Sequence, residues 1–257
     1  MTNSSPLPLS GRTALVTGAA SGIGAAIARR MSQDGAAVIA ADRDGERLKG
    51  LMDEIGGAPL VIDLSDIGGL PAAIEDVAGS VDILVNNAGI QHVAAVPDFP
   101  IETFELITRL MLTAPFVLAR AVLPGMYQRR WGRLVHISSA HGRRASPFKV
   151  AYVSAKHGLE GLSKVLALEG AEHGVTSNCI NPGYVRTPLV EKQIADQAQA
   201  HHLPDEEVLE RVMLASSPIK RLVEPPEVAA AAAYLCGPGS DSITGSDLVI
   251  DGGWGAR

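Results

Sequence analysis

The chain has 257 residues and a formal net charge of −6, with 46% hydrophobic, 19% charged and only 4% aromatic residues. An aliphatic composition of this kind buries a large core and excludes disorder, while the acidic balance and the lack of any dense Lys/Arg run argue against a nucleic-acid surface. Cys179 and Cys236 sit in apolar contexts without CxxC spacing, which points to free thiols in a reducing compartment rather than a disulfide or metal site.

The N-terminal MTNSSPLPLSGR has no basic region followed by an apolar stretch, and the longest apolar run, around residues 228–236, is about half a membrane span. The expectation is a cytoplasmic protein without a membrane partner. His201 and His202 lack the further ligands of a metal site, so no metal is assigned.

Short apolar runs recur in chain order as TALVT (13–17), AVIAA (37–41), LVI (60–62), ILVNN (83–87), RLVHIS (133–138), TSNCIN (176–181) and DLVID (247–251). Most are separated by segments long enough for a helix, the pattern of βαβ units and a parallel sheet. This predicts an α/β fold: one doubly wound domain of seven parallel strands with helices on both faces. No Pro/Gly/Ser-rich linker, low-complexity tract or fixed-period repeat marks a boundary, so 1–257 is read as a single domain. Residues 188–222 interrupt the rhythm with polar helical segments, and an insertion beyond the sheet's carboxyl edge is where a substrate lid would sit.

After the first run comes TGAASGIG, with Gly18, Gly22 and Gly24 opening a helix. Free N–H groups and the positive dipole end at such a start suit a phosphate, and glycines allow close backbone approach. The spacing, Gly-x-x-x-Gly-x-Gly, differs from the commoner dinucleotide fingerprint. The second run ends at Asp42, whose carboxylate can accept ribose hydroxyls and repel a 2′-phosphate; this favours NAD over NADP, with the adjacent Arg43 as the counter-signal. Asp63 and Leu64 after the third run, and Asn87, Ala88 and Gly89 after the fourth, extend a rim at the carboxyl ends of the strands.

The fifth run ends in Ser138 and Ser139, and Tyr152 follows with Lys156 one helical turn further. With TGAASGIG, NNAG, Ser139, Tyr152-x-x-x-Lys156 and Pro182-Gly183 in this order, the whole chain resembles the short-chain dehydrogenase/reductase family. The resemblance implies a Rossmann fold that binds NAD(P) and interconverts an alcohol and a carbonyl with Ser139, Tyr152 and Lys156. It also implies cofactor contacts from Ser21 and Ile23 in the glycine turn, from Tyr152 and Lys156, and from Pro182, Gly183, Val185 and Thr187 after the sixth strand. A free phenol has a pKa near ~10, and a neighbouring ammonium and an oxidised nicotinamide both favour the phenolate. Lys156 is thus expected to make Tyr152 a usable base while Ser139 hydrogen-bonds the substrate oxygen.

Met111 departs from the family, which usually has an asparagine there that helps hold a water of the proton relay to the lysine; a thioether accepts only weakly. Either the relay uses backbone and water alone or catalysis is impaired. Within the family, NAGIQHVAAV, SSAHG, PFKVAY, PGYVRTPLVEKQI and DGGW resemble the D-3-hydroxybutyrate dehydrogenases. That group implies a small hydroxy-acid substrate whose carboxylate meets Gln91, His141, Lys149 and Gln193, beside Ser139 and Tyr152. Tyr184 stands where the group often has tryptophan. Trp254 reaches a site in its own subunit or a neighbour's, if the chain forms the homotetramer usual in the family. The rivals are an acetoacetyl-CoA, sugar-alcohol or keto-acid reductase of the same family, and a non-catalytic NAD-binding protein, which only Met111 supports.

Overall fold

The computed structural model of the protein describes residues 6–188, 190–191, 194 and 204–256. Its seven strands are β1 (Thr13–Thr17), β2 (Ala37–Asp42), β3 (Ala58–Val61), β4 (Ile83–Asn86), β5 (Gly132–Ile137), β6 (Val175–Pro182) and β7 (Asp247–Ile250). They form one all-parallel sheet in the order β3-β2-β1-β4-β5-β6-β7. This is the single doubly wound Rossmann domain expected from the recurring apolar runs.

The two-residue period of a strand sends alternate side chains to opposite faces. Ala14, Val16, Val38, Ala40, Ile83, Val85 and Val135 enter one core with α1 (Gly22–Gln33) and α2 (Gly45–Ile55). Leu15, Ile39, Leu84 and Leu134 enter the other, which the helices between β3 and β5 cover. Both faces are apolar, so the central strands read as continuous hydrophobic runs rather than alternating ones. β3 begins two residues earlier than the sequence suggested and includes Pro59. It is the outermost strand, where a residue without an N–H is tolerated.

Between β3 and β4 lie the short helices α3 (Leu70–Ala73) and α4 (Glu75–Ala78). After β4, α5 (Ile101–Thr108) passes through a π-helical segment, Arg109–Thr113, into α6 (Ala114–Arg129). Pro115 explains the change of pitch, because it has no N–H to close the α-helical bond to the Met111 carbonyl. By length and composition alone this 29-residue helix could cross a membrane, a feature not evident among the short apolar runs of the sequence. Here Ile107, Met111, Ala114, Leu118 and Val122 are buried in the domain instead.

α7 (Val150–Gly170) crosses to β6, and α8 (Pro225–Cys236) leads to β7 and packs its Val228, Ala232 and Leu235 in the core beside Ile27 and Met31 of α1. Of the expected lid, the described part buries Val190, Ile194, Val208, Met213, Leu214 and Leu222 in a separate small cluster against Tyr184. All strands run the same way, so their carboxyl ends share one edge. The chain winds outward in opposite directions from β1 and β4, and the crevice at that switch point is where open α/β sheets bind ligands.

Candidate active site

A cavity of about 480 Å³ opens along that edge, within the range of small-molecule sites. The glycine turn forms one end. Gly18 and Gly22 have φ of +65° and +53°, a region that favours glycine. A Cβ on Gly18 would lie 2.8 Å from Asn87 Nδ2, and one on Gly22 would lie 3.0 Å from Thr187 Cγ2. Gly24 corrects the expectation that all three glycines face the ligand: it does not line the cavity, and a Cβ there would collide with the Gly18 carbonyl. Its bare backbone lets α1 seat against the turn.

Thr17, which the motif reading passed over, fastens this turn to the fourth strand. Its Oγ1 accepts from the N–H groups of Asn87 at 2.9 Å and Ala88 at 3.2 Å, and donates to the Val85 carbonyl at 3.2 Å. Asn87 Nδ2 answers by donating to the Thr17 carbonyl at 2.9 Å. Replacing the hydroxyl by a methyl would leave buried N–H groups unpaired, at a cost of about 1–3 kcal/mol.

Asp42 closes the far end of the same half. Its carboxylate accepts from Ala20 N–H and Asp44 N–H, each at 3.1 Å, and this fixes it at the cavity wall. Asp63 is held below the usual carboxylate range by the Ser65 hydroxyl at 2.7 Å, then by the Ser65 N–H, with the Arg43 charge adding to them against the opposing effect of burial. The residues present fit a dinucleotide: a helix start with no side-chain cap at Ser21, a glycine turn a Cβ would fill, and a carboxylate at the end of β2. Ser21, Ile23, Leu64, Ala88, Gly89, Pro182, Gly183, Val185 and Thr187 complete the wall of the same cavity.

The other half gathers Ser139, Tyr152 and Lys156 from β5 and α7. Lys156 is buried and donates from Nζ to the Ile137 carbonyl at 2.6 Å, with Nζ 5.6 Å from the Tyr152 ring centroid. Burial pushes its pKa down to about 8, against the opposing pull of Cys179 and Glu160. Tyr152 keeps part of its surface on the cavity but is otherwise enclosed. Burial raises its phenol, a hydrogen bond with Ser139 lowers it, and Tyr184 adds to the rise. In the cofactor-free protein desolvation outweighs the help from Ser139, so the phenol is held neutral; the charge of an oxidised nicotinamide, expected to act beside Lys156, is the further influence that would favour the phenolate.

Ser139 Oγ accepts from the His141 N–H at 3.1 Å. The His141 ring hydrogen-bonds with Ser146 Oγ at 2.9 Å and lies 5.4 Å from the Trp254 ring. Burial first, then the charges of Lys149 and His157, push its pKa down to about 4, so the imidazole is neutral. Trp254 lines the cavity of its own chain. Asp251 makes this possible by accepting from the N–H groups of Gly253 and Gly255, each at 2.8 Å, which curls the C-terminal loop back over the site.

Lys149 projects from the start of α7, with Nζ 5.5 Å from the Tyr184 ring centroid. Phe148 before it has φ +67°, a strained value for a bulky residue, and its carbonyl accepts from Ala94 N–H at 3.0 Å. Burial lowers the Lys149 pKa, and among the described residues no carboxylate pairs with it. Gln91 and Tyr184 line the same half, whereas Gln193 lies outside the described residues. Met111 packs beneath Gly89, whose added Cβ would lie 3.3 Å from its Cε. Ile62, Ile90 and Ser217 also line the cavity and were missed. The first two follow strand ends, a usable signal; Ser217 arrives from a remote segment and had none.

The short-chain dehydrogenase/reductase model described as enoyl-(acyl carrier protein) reductase matches residues 18–255. The chain belongs to the short-chain dehydrogenase/reductase family. As a member of it, the protein is an oxidoreductase with a nicotinamide cofactor site. Among its relatives, the D-beta-hydroxybutyrate dehydrogenase of Rhizobium meliloti is 44% identical, covering 96% of this chain and 99% of that one. The enzyme of the same name from Cupriavidus necator is 43% identical, covering 97% and 100%. In three dimensions the short-chain fold resembles L-sorbose reductase from Gluconobacter frateurii, solved with NADPH and L-sorbose, with a TM-score of 0.91, 30% identity and coverage of 98% and 99%.

Proposed function

We propose that this protein oxidises (R)-3-hydroxybutyrate to acetoacetate with NAD. The observation that carries the substrate is Lys149: a partly desolvated cation without a carboxylate partner among the described residues, on the rim of the Ser139–Tyr152 pair. A desolvated ammonium favours an anion, and a short hydroxy acid bound there by its carboxylate would bring its hydroxyl toward Ser139 and Tyr152. The neutral His141 and Gln91 add hydrogen-bonding capacity, while Tyr184 and Trp254 supply apolar wall. The two hydroxybutyrate dehydrogenases among the relatives support the same assignment.

When bound, NAD supplies the hydride acceptor. Ser139 hydrogen-bonds the substrate oxygen, and Tyr152 takes its proton once the phenol is stabilised as phenolate. Lys156, fixed on the Ile137 carbonyl, lends positive charge beneath it. Met111 contributes no side-chain acceptor of strength, but Pro115 leaves its carbonyl without the α-helical donor, so backbone and water serve the relay. For NAD over NADP, Asp42 at the end of β2 would accept the ribose hydroxyls and repel a 2′-phosphate, while the Arg43 charge acts on Asp63. We extend the proposal to a cytoplasmic homotetramer; exposed Phe116, Val165 and Leu168 on α6 and α7 support an assembly.

Steady-state oxidation of (R)-3-hydroxybutyrate beside sugar alcohols and neutral secondary alcohols, each with NAD and NADP, tests the reading. The expected result is the highest kcat/KM for hydroxybutyrate with NAD, at least about tenfold above NADP. A sugar alcohol or NADP taking first place would overturn the respective half of the proposal.

A further inference from the structure

Behind Ser139, on the side away from the cavity, the fold buries a carboxyl group that the proposed reaction does not use. Tyr152, Lys156 and Glu160 follow one another at four-residue steps on α7 and so run down a single stripe of the helix. Tyr152 meets the cavity, Lys156 meets the end of β5, and Glu160 lies beneath Ser138 and Ser139.

Glu160 is only 5% exposed, and its Oε1 accepts from Asn181 Nδ2 at 2.6 Å. The same Nδ2 donates to the Ser139 carbonyl at 2.9 Å. Asn181 is wholly buried on β6, so one side-chain amide ties the helix carboxyl to the serine peptide. The turn that follows, Ala140–Gly142, is pressed against the same group. A Cβ on Gly142 would lie 2.8 Å from Glu160 Oε1 and would collide with Ser138 Oγ.

We propose that Glu160 is a positioning residue for the Ser139 hydroxyl, acting through Asn181 on the Ser139 peptide. The proposal rests on the dehydrogenase reading, in which Ser139 touches the substrate oxygen, but not on which alcohol is bound. With two acceptors on one Nδ2, the amide orientation is doubly determined, and the Ser139 carbonyl has a fixed donor. Without Glu160, Asn181 loses the contact that anchors it to α7: Lys156 still ties that helix to the Ile137 carbonyl, but the tie to the Ser139 peptide is lost. Misplacing a reacting group by about 1 Å can cost on the order of 100-fold in rate.

Burial first, and then Asp247, push the Glu160 pKa up, while Ser138, Cys179 and Asn181 oppose them. Ligand atoms of Glu160, Cys179 and Asp247 lie within 4.8 Å of one another. An ionised carboxylate there would be a buried charge with few donors. Glutamine keeps the acceptor for Asn181 without that charge, whereas alanine removes the acceptor.

The test compares Glu160→Gln and Glu160→Ala on whichever alcohol the unaltered protein oxidises best, with NADH affinity read by fluorescence. Glu160→Gln is expected to stay within about threefold of the wild-type kcat; Glu160→Ala should lose at least about tenfold in kcat, with KM and NADH Kd within about threefold. The primary deuterium isotope effect should be no smaller in Glu160→Ala, since the chemical step is what slows. An unchanged kcat in Glu160→Ala, or equal losses in both variants, would overturn the proposal. Should Glu160→Ala fail to fold, Glu160→Leu fills more of the space and carries the same readouts. If the unaltered protein oxidises no alcohol at all, it is the dehydrogenase reading that has failed. A crystal structure of the Leu or Ala variant with NADH then decides the geometry separately: a displaced Ser139 Oγ supports the proposal, and an unmoved one sinks it.

Discussion

Lys149 holds its ammonium 5.5 Å from the centre of the Tyr184 ring, although the two residues come from the start of α7 and from the segment after β6. Burial depresses the lysine's pKa, which marks the ammonium as a charge in want of an anion. Lys149→Ala should raise KM for hydroxybutyrate about tenfold to hundredfold, the loss of a charge-assisted hydrogen bond worth roughly 1.5–3 kcal/mol. NADH binding and turnover of a neutral alcohol should hardly change. Unaltered hydroxybutyrate kinetics would remove the main support for an acid substrate.

Tyr152 is raised and Lys156 lowered to about 8 in the cofactor-free protein, both chiefly by burial. The signs matter in opposite ways: the raised phenol stays neutral through neutral pH, and the lowered ammonium has lost about half of its charge by about pH 8. A spectroscopic titration of phenolate, with Tyr152→Phe as the difference, should therefore find Tyr152 above its ordinary value without cofactor and lower with oxidised NAD. The same titration in both states would show that cofactor charge does not prepare the base. Tyr152→Phe should cost on the order of 10²–10⁴ in kcat.

Met111 is 1% exposed and fills the space beneath Gly89, where an amide would be buried. The unaltered protein is expected to turn over, and Met111→Asn to gain no more than a few-fold in kcat while losing about 1–3 kcal/mol of stability. Parallel urea melts and initial rates give both quantities. An inactive wild type rescued by Met111→Asn would mean that the relay needs the amide.

His136 is fully buried on β5 between Asn86 Nδ2 at 3.1 Å and Ser177 Oγ at 3.2 Å. Burial first, and the Lys156 charge second, lower its pKa to about 3, and His141 is lowered to about 4. The unfolded chain takes up these protons first, so stability present above about pH 6.5 is lost as pH falls toward the folded values, at roughly 1.4 kcal/mol per pH unit for each histidine. Urea midpoints at pH 7.5 and 5 should show a smaller drop for His136→Gln than for wild type. Identical drops would mean that other groups carry the acid sensitivity.

Much of the site was legible because its backbone motifs are local. Gly18 and Gly22 sit within one turn, Asp42 ends a continuous apolar run, and Tyr152 and Lys156 share one helix face. Local geometry also explains the one glycine misread: Gly24 looked equivalent to Gly22 in the motif, and only the folded turn turns it toward Gly18 rather than the ligand. Gln193 lies outside the described residues, so its part in a lid rests on sequence alone.

By itself the sequence determined the number of strands and their alternation with helices, the single domain, the glycine turn and the Ser139, Tyr152, Lys156 series, since each depends on periodicity or on neighbours in the chain. Only the tertiary structure decided that Lys156 spends its strongest contact on the Ile137 carbonyl, that Trp254 curls back over its own His141, and that Glu160 reaches the serine peptide through Asn181. These pairings join residues distant in sequence. They exist because parallel crossovers bring β5, β6 and α7 together at one sheet edge, and because burial there removes the water that would otherwise satisfy each polar group.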